Sequence, residues 1–124
     1  MILNLTQHQA TPEQIAQGVI EPIVKRQITQ LLLFEELPSS ELIKHRVDEI
    51  VCIVCGSGYL GVTHALIGGA PFLMAPLEKA LRRVGIIPLY AFSERVSEEV
   101  HQPDGTVTKT NVFKHVGWVE GGVA

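Results

Sequence analysis

What the sequence has little of narrows its class first. Its 124 residues hold 10 Lys plus Arg against 13 Asp plus Glu, a formal net charge of −3. A general nucleic-acid binder shows a basic excess, so that class is set aside, while a small anionic ligand held by local groups is not. No run of eighteen apolar residues is there to cross a bilayer. No basic segment precedes an apolar one at the start, so a signal peptide is not expected either. Only two cysteines occur, and without an export signal they point to a reducing, cytoplasmic setting. Internal repeats and low-complexity stretches are missing. What is present is an ordinary globular composition, 46% hydrophobic, in a length that suits one domain over residues 1–124.

The most informative stretch runs from 64 to 92. The apolar run His64-Ala65-Leu66-Ile67 stops at Gly68-Gly69. Helical spacing follows from Pro71 to Val84, Gly85 ends it, and a second apolar run covers 86–92. Strand, glycine turn, helix and strand make the unit of a parallel sheet. Such sheets bind ligands in the crevice beyond the carboxyl ends of their strands. Met1 to Leu5 reads as a first strand, and Thr6-Gln7-His8-Gln9 as the loop after it. Thr11, Pro12 and Gln14 form a capping-box start to a short helix that Gly18 ends. A second helix opens at Pro22, with Leu31 to Phe34 readable as helix or strand. Ser39 or Ser40 caps a third, whose period is continuous to Gly56. The β-branched run Ile50 to Val54 leaves a strand over 50–55 as the rival. At the end, Pro103-Asp104-Gly105 lies between extended segments over 96–101 and 106–119, which gives a β-hairpin.

Three motifs compete for a functional role. Gly56-Ser57-Gly58-Tyr59-Leu60-Gly61 fits the dinucleotide fingerprint in its letters, but that fingerprint needs a strand before it and a helix from it. Cys52-Ile53-Val54-Cys55 has redox spacing, yet no second cysteine pair completes a zinc site, and buried structural cysteines are expected. The histidines form no metal-ligand or triad pattern. His64 is expected to begin a strand and His45 to lie on an exposed helix face, whereas His8 follows the first strand. Lys79, Arg82 and Arg83 fall in the last turns of the fourth helix and complement its dipole. Pro76 implies a kink or a late start there.

If the parallel strands are neighbours, three loops converge: Asn4 to His8, Gly68 to Pro71, and Ser93 to Arg95. They bring backbone amides, hydroxyls, an imidazole and a guanidinium together, a set suited to phosphate. The candidate ligand-binding residues are thus Asn4, Thr6, Gly68, Gly69, Ser93 and Arg95, with His8 as a candidate general base. No metal and no cofactor is called for. The expected architecture is α/β and Rossmann-like, with a small parallel sheet of three strands flanked by helices and a C-terminal antiparallel β-hairpin.

Several segments also resemble a known group. They are Ile2-Leu3-Asn4-Leu5-Thr6-Gln7-His8, the Pro-Glu-Gln helix, the small-residue turn, Leu89 to Arg95, and the terminal Asp-Gly hairpin with Asn111 to Val116. The chain is similar to small CRISPR-associated Rossmann-like proteins related to cyclic-oligoadenylate sensor (CARF) domains and ring nucleases, and to short prophage and bacterial proteins. That resemblance implies a homodimer binding a cyclic oligoadenylate across its two-fold axis, sometimes with slow phosphodiester cleavage. It would place Asn4, Thr6, His8, Gly68, Gly69, Ser93 and Arg95 by the ligand. The chain departs from the group in a turn at Gly68-Gly69-Ala70-Pro71 that lacks a polar side chain, and in an added helical run between the first strands. Two other classes stay open: a non-catalytic interaction factor of phage or bacterial origin with an exposed patch at Phe113 or Trp118, and a dinucleotide-dependent enzyme using residues 56–61.

Overall fold

A computed structural model describes residues 1–56, 59 and 61–122. In chain order the elements are β1 (Ile2–Asn4), α1 (Pro12–Ala16), β2 (Val19–Ile20), α2 (Lys25–Leu32), α3 (Ser40–Val54), β3 (His64–Leu66), α4 (Pro71–Arg83), β4 (Ile87–His101) and β5 (Val107–Glu120). One five-stranded sheet has the order β2-β1-β3-β4-β5. The first four strands in that order are mutually parallel and β5 is antiparallel to β4. The parallel part therefore has four strands, not three. The addition is β2, two residues long, too short to show a period in the sequence.

Local chemistry explains the helix boundaries. At α1, Thr11 Oγ1 accepts from the Gln14 amide at 3.2 Å, and Gln14 Oε1 accepts from the Thr11 amide at 3.0 Å. Gly18 then turns the chain at a φ of 98°. Pro22 is not the start of α2, which begins at Lys25 and stays helical to Leu32. Ser39 caps α3, and the helix runs through the β-branched segment to Val54. Val47, Ile50 and Val54 are its buried positions, so helical spacing outweighs β propensity there. Pro76 sits inside α4.

Alternation along the strands splits the core between two faces. On one face Leu3, Leu5, Ala65 and Ile67 pack against Ile28 of α2, Ile50 of α3 and Leu73, Leu77 and Leu81 of α4. On the other, Ile2, Val19, Leu66 and Leu89 form a smaller layer with Ala10 and Trp118. Among the described residues no helix is long and apolar enough to cross a membrane.

The largest departure from the sequence reading is in β4. A loop was expected at Ser93-Glu94-Arg95, but the strand continues through it to His101, with a register irregularity at Phe92/Ser93. Only Ile87, Pro88 and Leu89 pair with β3. Beyond them β4 and β5 run as a two-stranded arm, turned at Pro103-Asp104-Gly105, where Asp104 Oδ1 accepts from the Thr106 amide at 2.9 Å. At its root Tyr90 donates to Glu78, and Arg82 donates through Nε to the Gly121 carbonyl at 3.0 Å. Arg82 therefore anchors the sheet's last turn, a role beyond complementing the helix dipole.

Candidate functional site

Strand order reverses between β1 and β3: β2 lies to one side of β1, β4 to the other side of β3. In open α/β sheets such a reversal leaves a crevice at the carboxyl ends of the two strands. A cavity of about 360 Å³ lies there. The loop after β1 supplies Thr6, Gln7, His8 and Gln9, and the start of α1 adds Thr11 and Gln14. Gly68 and Gly69 close it from β3, with Leu66 and Ala91 on the floor side. Among the described lining residues His8 is the one ionisable side chain, and none is Lys or Arg.

Asn4 builds this rim. It is fully buried. Its Nδ2 donates to the His8 carbonyl at 2.8 Å and to Glu21 Oε1 at 2.9 Å. Its Oδ1 accepts from the Thr6 amide at 3.0 Å and the Thr6 hydroxyl at 2.7 Å. The first of these is an Asx turn, the local geometry that bends the chain after a strand. Lys25 Nζ adds bonds to the carbonyls of Thr6, at 2.6 Å, and His8, at 2.7 Å. With the His8 carbonyl tied inward, the residue itself is exposed at the rim.

Glu21 completes the brace. Its Oε1 accepts from the Ala10 amide at 2.7 Å, and its Oε2 lies 3.1 Å from Lys25 Nζ. Partial burial alone would raise its carboxyl pKa, but the bonds from Ala10, Asn4 and Lys25 and the Lys25 charge outweigh that and hold it below the ordinary value. A depressed folded-state pKa stabilises the fold above the unfolded value and is lost as pH falls through the folded one. Urea midpoints followed down to about pH 3 should therefore fall less steeply in Glu21→Gln than in the parent. Equal acid slopes would show that Glu21 does not carry this dependence. Sequence reasoning missed Glu21 and Lys25; the available signal was their i,i+4 spacing with opposite charge.

The other expected residues are dispersed. Gly68 and Gly69 line the crevice, and α4 starts directly after them with N-cap Ala70, which offers no side-chain cap. Ser93 and Arg95 do not line the crevice. They stand on the exposed arm, where Arg95 lies 5.7 Å from the Phe113 ring. Two of the three expected loops thus meet, and Ala91 occupies the third side.

The remaining motifs resolve differently. A helix, α3, precedes Gly56, so the strand that a dinucleotide fingerprint requires is not there; Ser57, Gly58 and Leu60 lie outside the described residues. Cys52 and Cys55 are both exposed free thiols, not buried structural ones, because the buried stripe of α3 passes through Ile50 and Val54 instead. His64 begins β3, and His45 is exposed, with Nε2 2.8 Å from Glu49 Oε1. A larger hollow, about 470 Å³, adjoins Phe34 and Leu37. Its guanidinium is already committed: Arg46 donates to the carbonyls of Gln30, Leu31 and Leu33 at the end of α2 and lies 4.7 Å over Phe34. The crevice at the strand ends is therefore the stronger candidate.

Residues 1–119 match the family model described as the Uncharacterized protein MJ1673 family. The chain belongs to that family. No curated protein and no solved structure matches it. The family's description names no activity, so function is read from the site itself.

Proposed function

We propose that the crevice between β1 and β3 binds a phosphate-bearing, nucleotide-like ligand, with a Rossmann-like use of the sheet. The observation that carries this reading is the cavity's position, at the strand-order reversal and beside an uncapped helix start. In this reading the main chain of the Gly68-Gly69 turn, which lines the crevice, offers donors to the phosphate, while Pro71 at the first helical position has none to give. Thr6, Gln7 and Gln9 offer hydroxyl and amide groups to sugar and base, and the glycines let the ligand approach the main chain. The resemblance to CARF and ring-nuclease proteins favours a cyclic oligoadenylate. In the cleaving form of this reading, a ribose 2′-hydroxyl attacks its own phosphodiester in line, forming a 2′,3′-cyclic phosphate as the bond from phosphorus to the 5′-oxygen breaks. His8 takes the 2′-hydroxyl proton, the departing 5′-oxygen takes one from water, and the protein otherwise positions the chain and stabilises charge.

Thermal unfolding with mono-, di- and cyclic nucleotides and a cyclic oligoadenylate tests this. A ligand at a hundredfold excess over its Kd stabilises by about 2.7 kcal/mol, a rise in Tm on the order of 10 °C for this length. No shift with any of them would overturn the proposal.

The interaction-factor reading also has an observation behind it. Phe113 is 70% exposed on the arm, whereas Trp118 is partly covered and stacks on His115 with ring centroids 4.4 Å apart. Phe113, not Trp118, is therefore the residue an interaction partner would meet.

A further inference from the structure

Among the described residues the arm leaves most of its surface uncovered; near its root His115 Nε2 lies 3.0 Å from Gln17 Oε1 and Trp118 packs on the smaller core layer. Strands β4 and β5 stay paired from Leu89/Glu120 out to His101/Val107, far beyond the sheet's last contact with β3. At about 3.4 Å per residue, that is a ribbon some 40 Å long. An isolated two-stranded ribbon is marginal in water. This one also exposes Phe92 at 57% and Phe113 at 70%, with Val100, Val107 and Val116. Among the described residues β5, 14 residues long, is the outer strand of the sheet and has no strand paired to its outer side. Its sequence is rich in Val and Thr and has no proline to block pairing.

We infer that this edge pairs with β5 of a second copy of the chain, antiparallel and about a two-fold axis near Asn111 to Phe113, so that two sheets join into one. Charge favours a copy over a foreign partner. Glu94 faces Lys114 and Glu99 faces Lys109 across the hairpin, which leaves the arm nearly balanced and without a field to attract an acidic or basic protein. A two-fold axis through a continuous sheet also pairs only residues whose side chains share a face. Lys109 and Lys114 point to opposite faces, as their partners Glu99 and Glu94 do, so the two lysines never meet across the joint. With the axis at Phe113 the two Phe113 rings become a cross-strand aromatic pair, one of the stabilising pairings in sheets. The joint is carried by β5 alone, 14 residues of outer strand, and strand addition of this kind draws its affinity from main-chain hydrogen bonds.

Sedimentation equilibrium of the full chain tests this. The parent is expected to be a dimer at micromolar concentration. Asn111→Glu with Phe113→Glu places like charges on both sides of the axis and should weaken association at least tenfold, while Val100→Glu near the tip of β4 leaves it unchanged. Should the double variant lose its circular dichroism signal, a shortened chain joining Phe92 to Val116 through a two-residue turn keeps the pairs at the root of the arm and should be a folded monomer. A monomeric parent at about 100 μM, open-ended polymerisation, or a dimer that survives either change would overturn the inference.

Discussion

Asn4→Ala is expected to lower the unfolding free energy by about 3 kcal/mol, which is large for one polar residue. The substitution removes four hydrogen bonds from a side chain that solvent does not reach. Each neutral bond contributes about 1 kcal/mol, and the one to the Glu21 carboxylate contributes more. The Thr6 amide, the His8 carbonyl and Glu21 keep other partners or reach water, which limits the loss. Glu21 should also titrate closer to an ordinary carboxylate, because one of the donors that depress it is gone. Urea unfolding at neutral pH gives the free energy, and a loss below about 1 kcal/mol would show that the rim stands without Asn4. The same variant should bind nucleotide more weakly, since the rim would no longer be held in the binding geometry before the ligand arrives.

Asn4 also shows how far the sequence could be read. Its place at the end of a short apolar strand marked it as a candidate ligand-binding residue; it is buried and braces the loop that forms the rim, and is not among the residues lining the crevice. Whether it faces a ligand or the protein depends on Glu21 and Lys25, which arrive from β2 and α2, and nothing local reports that meeting. The helices were legible where caps and period agreed, as at Thr11-Pro12-Glu13-Gln14 and in α3. Arg95 was misplaced for a physical reason. Ser-Glu-Arg after a buried strand reads as solvated loop because both faces of the chain become polar. A ribbon that leaves the core is polar and exposed in the same way while its backbone stays paired. Composition senses water, not hydrogen bonding, so it cannot separate the two. The cysteines failed similarly: an apolar setting in sequence became two surface positions once the helical stripe passed between them.

Gly68→Leu is expected to abolish nucleotide binding, with Kd rising well over tenfold, while the fold stays within about 1 kcal/mol of the parent. Gly68 lines the crevice and does not have a left-handed backbone. A Cβ there would stand 3.5 Å from Thr6 Cγ2, an ordinary contact, so the larger side chain has room at its base and extends toward the space a ligand needs. Its neighbour Gly69 is the control. With φ at 154° and a Cβ position 3.4 Å from Met74 Cε, Gly69→Leu strains the backbone and crowds the core, so it should cost stability before it affects a ligand. Titration calorimetry with the nucleotide that gives the largest thermal shift, set beside urea unfolding, separates the two variants. Loss of binding in Gly68→Leu with unfolding unchanged places the ligand against the β3 turn. Undiminished binding in that variant would move the ligand away from the β1/β3 crevice, and the function proposed for it would go with it, while an arm-joined dimer would be untouched.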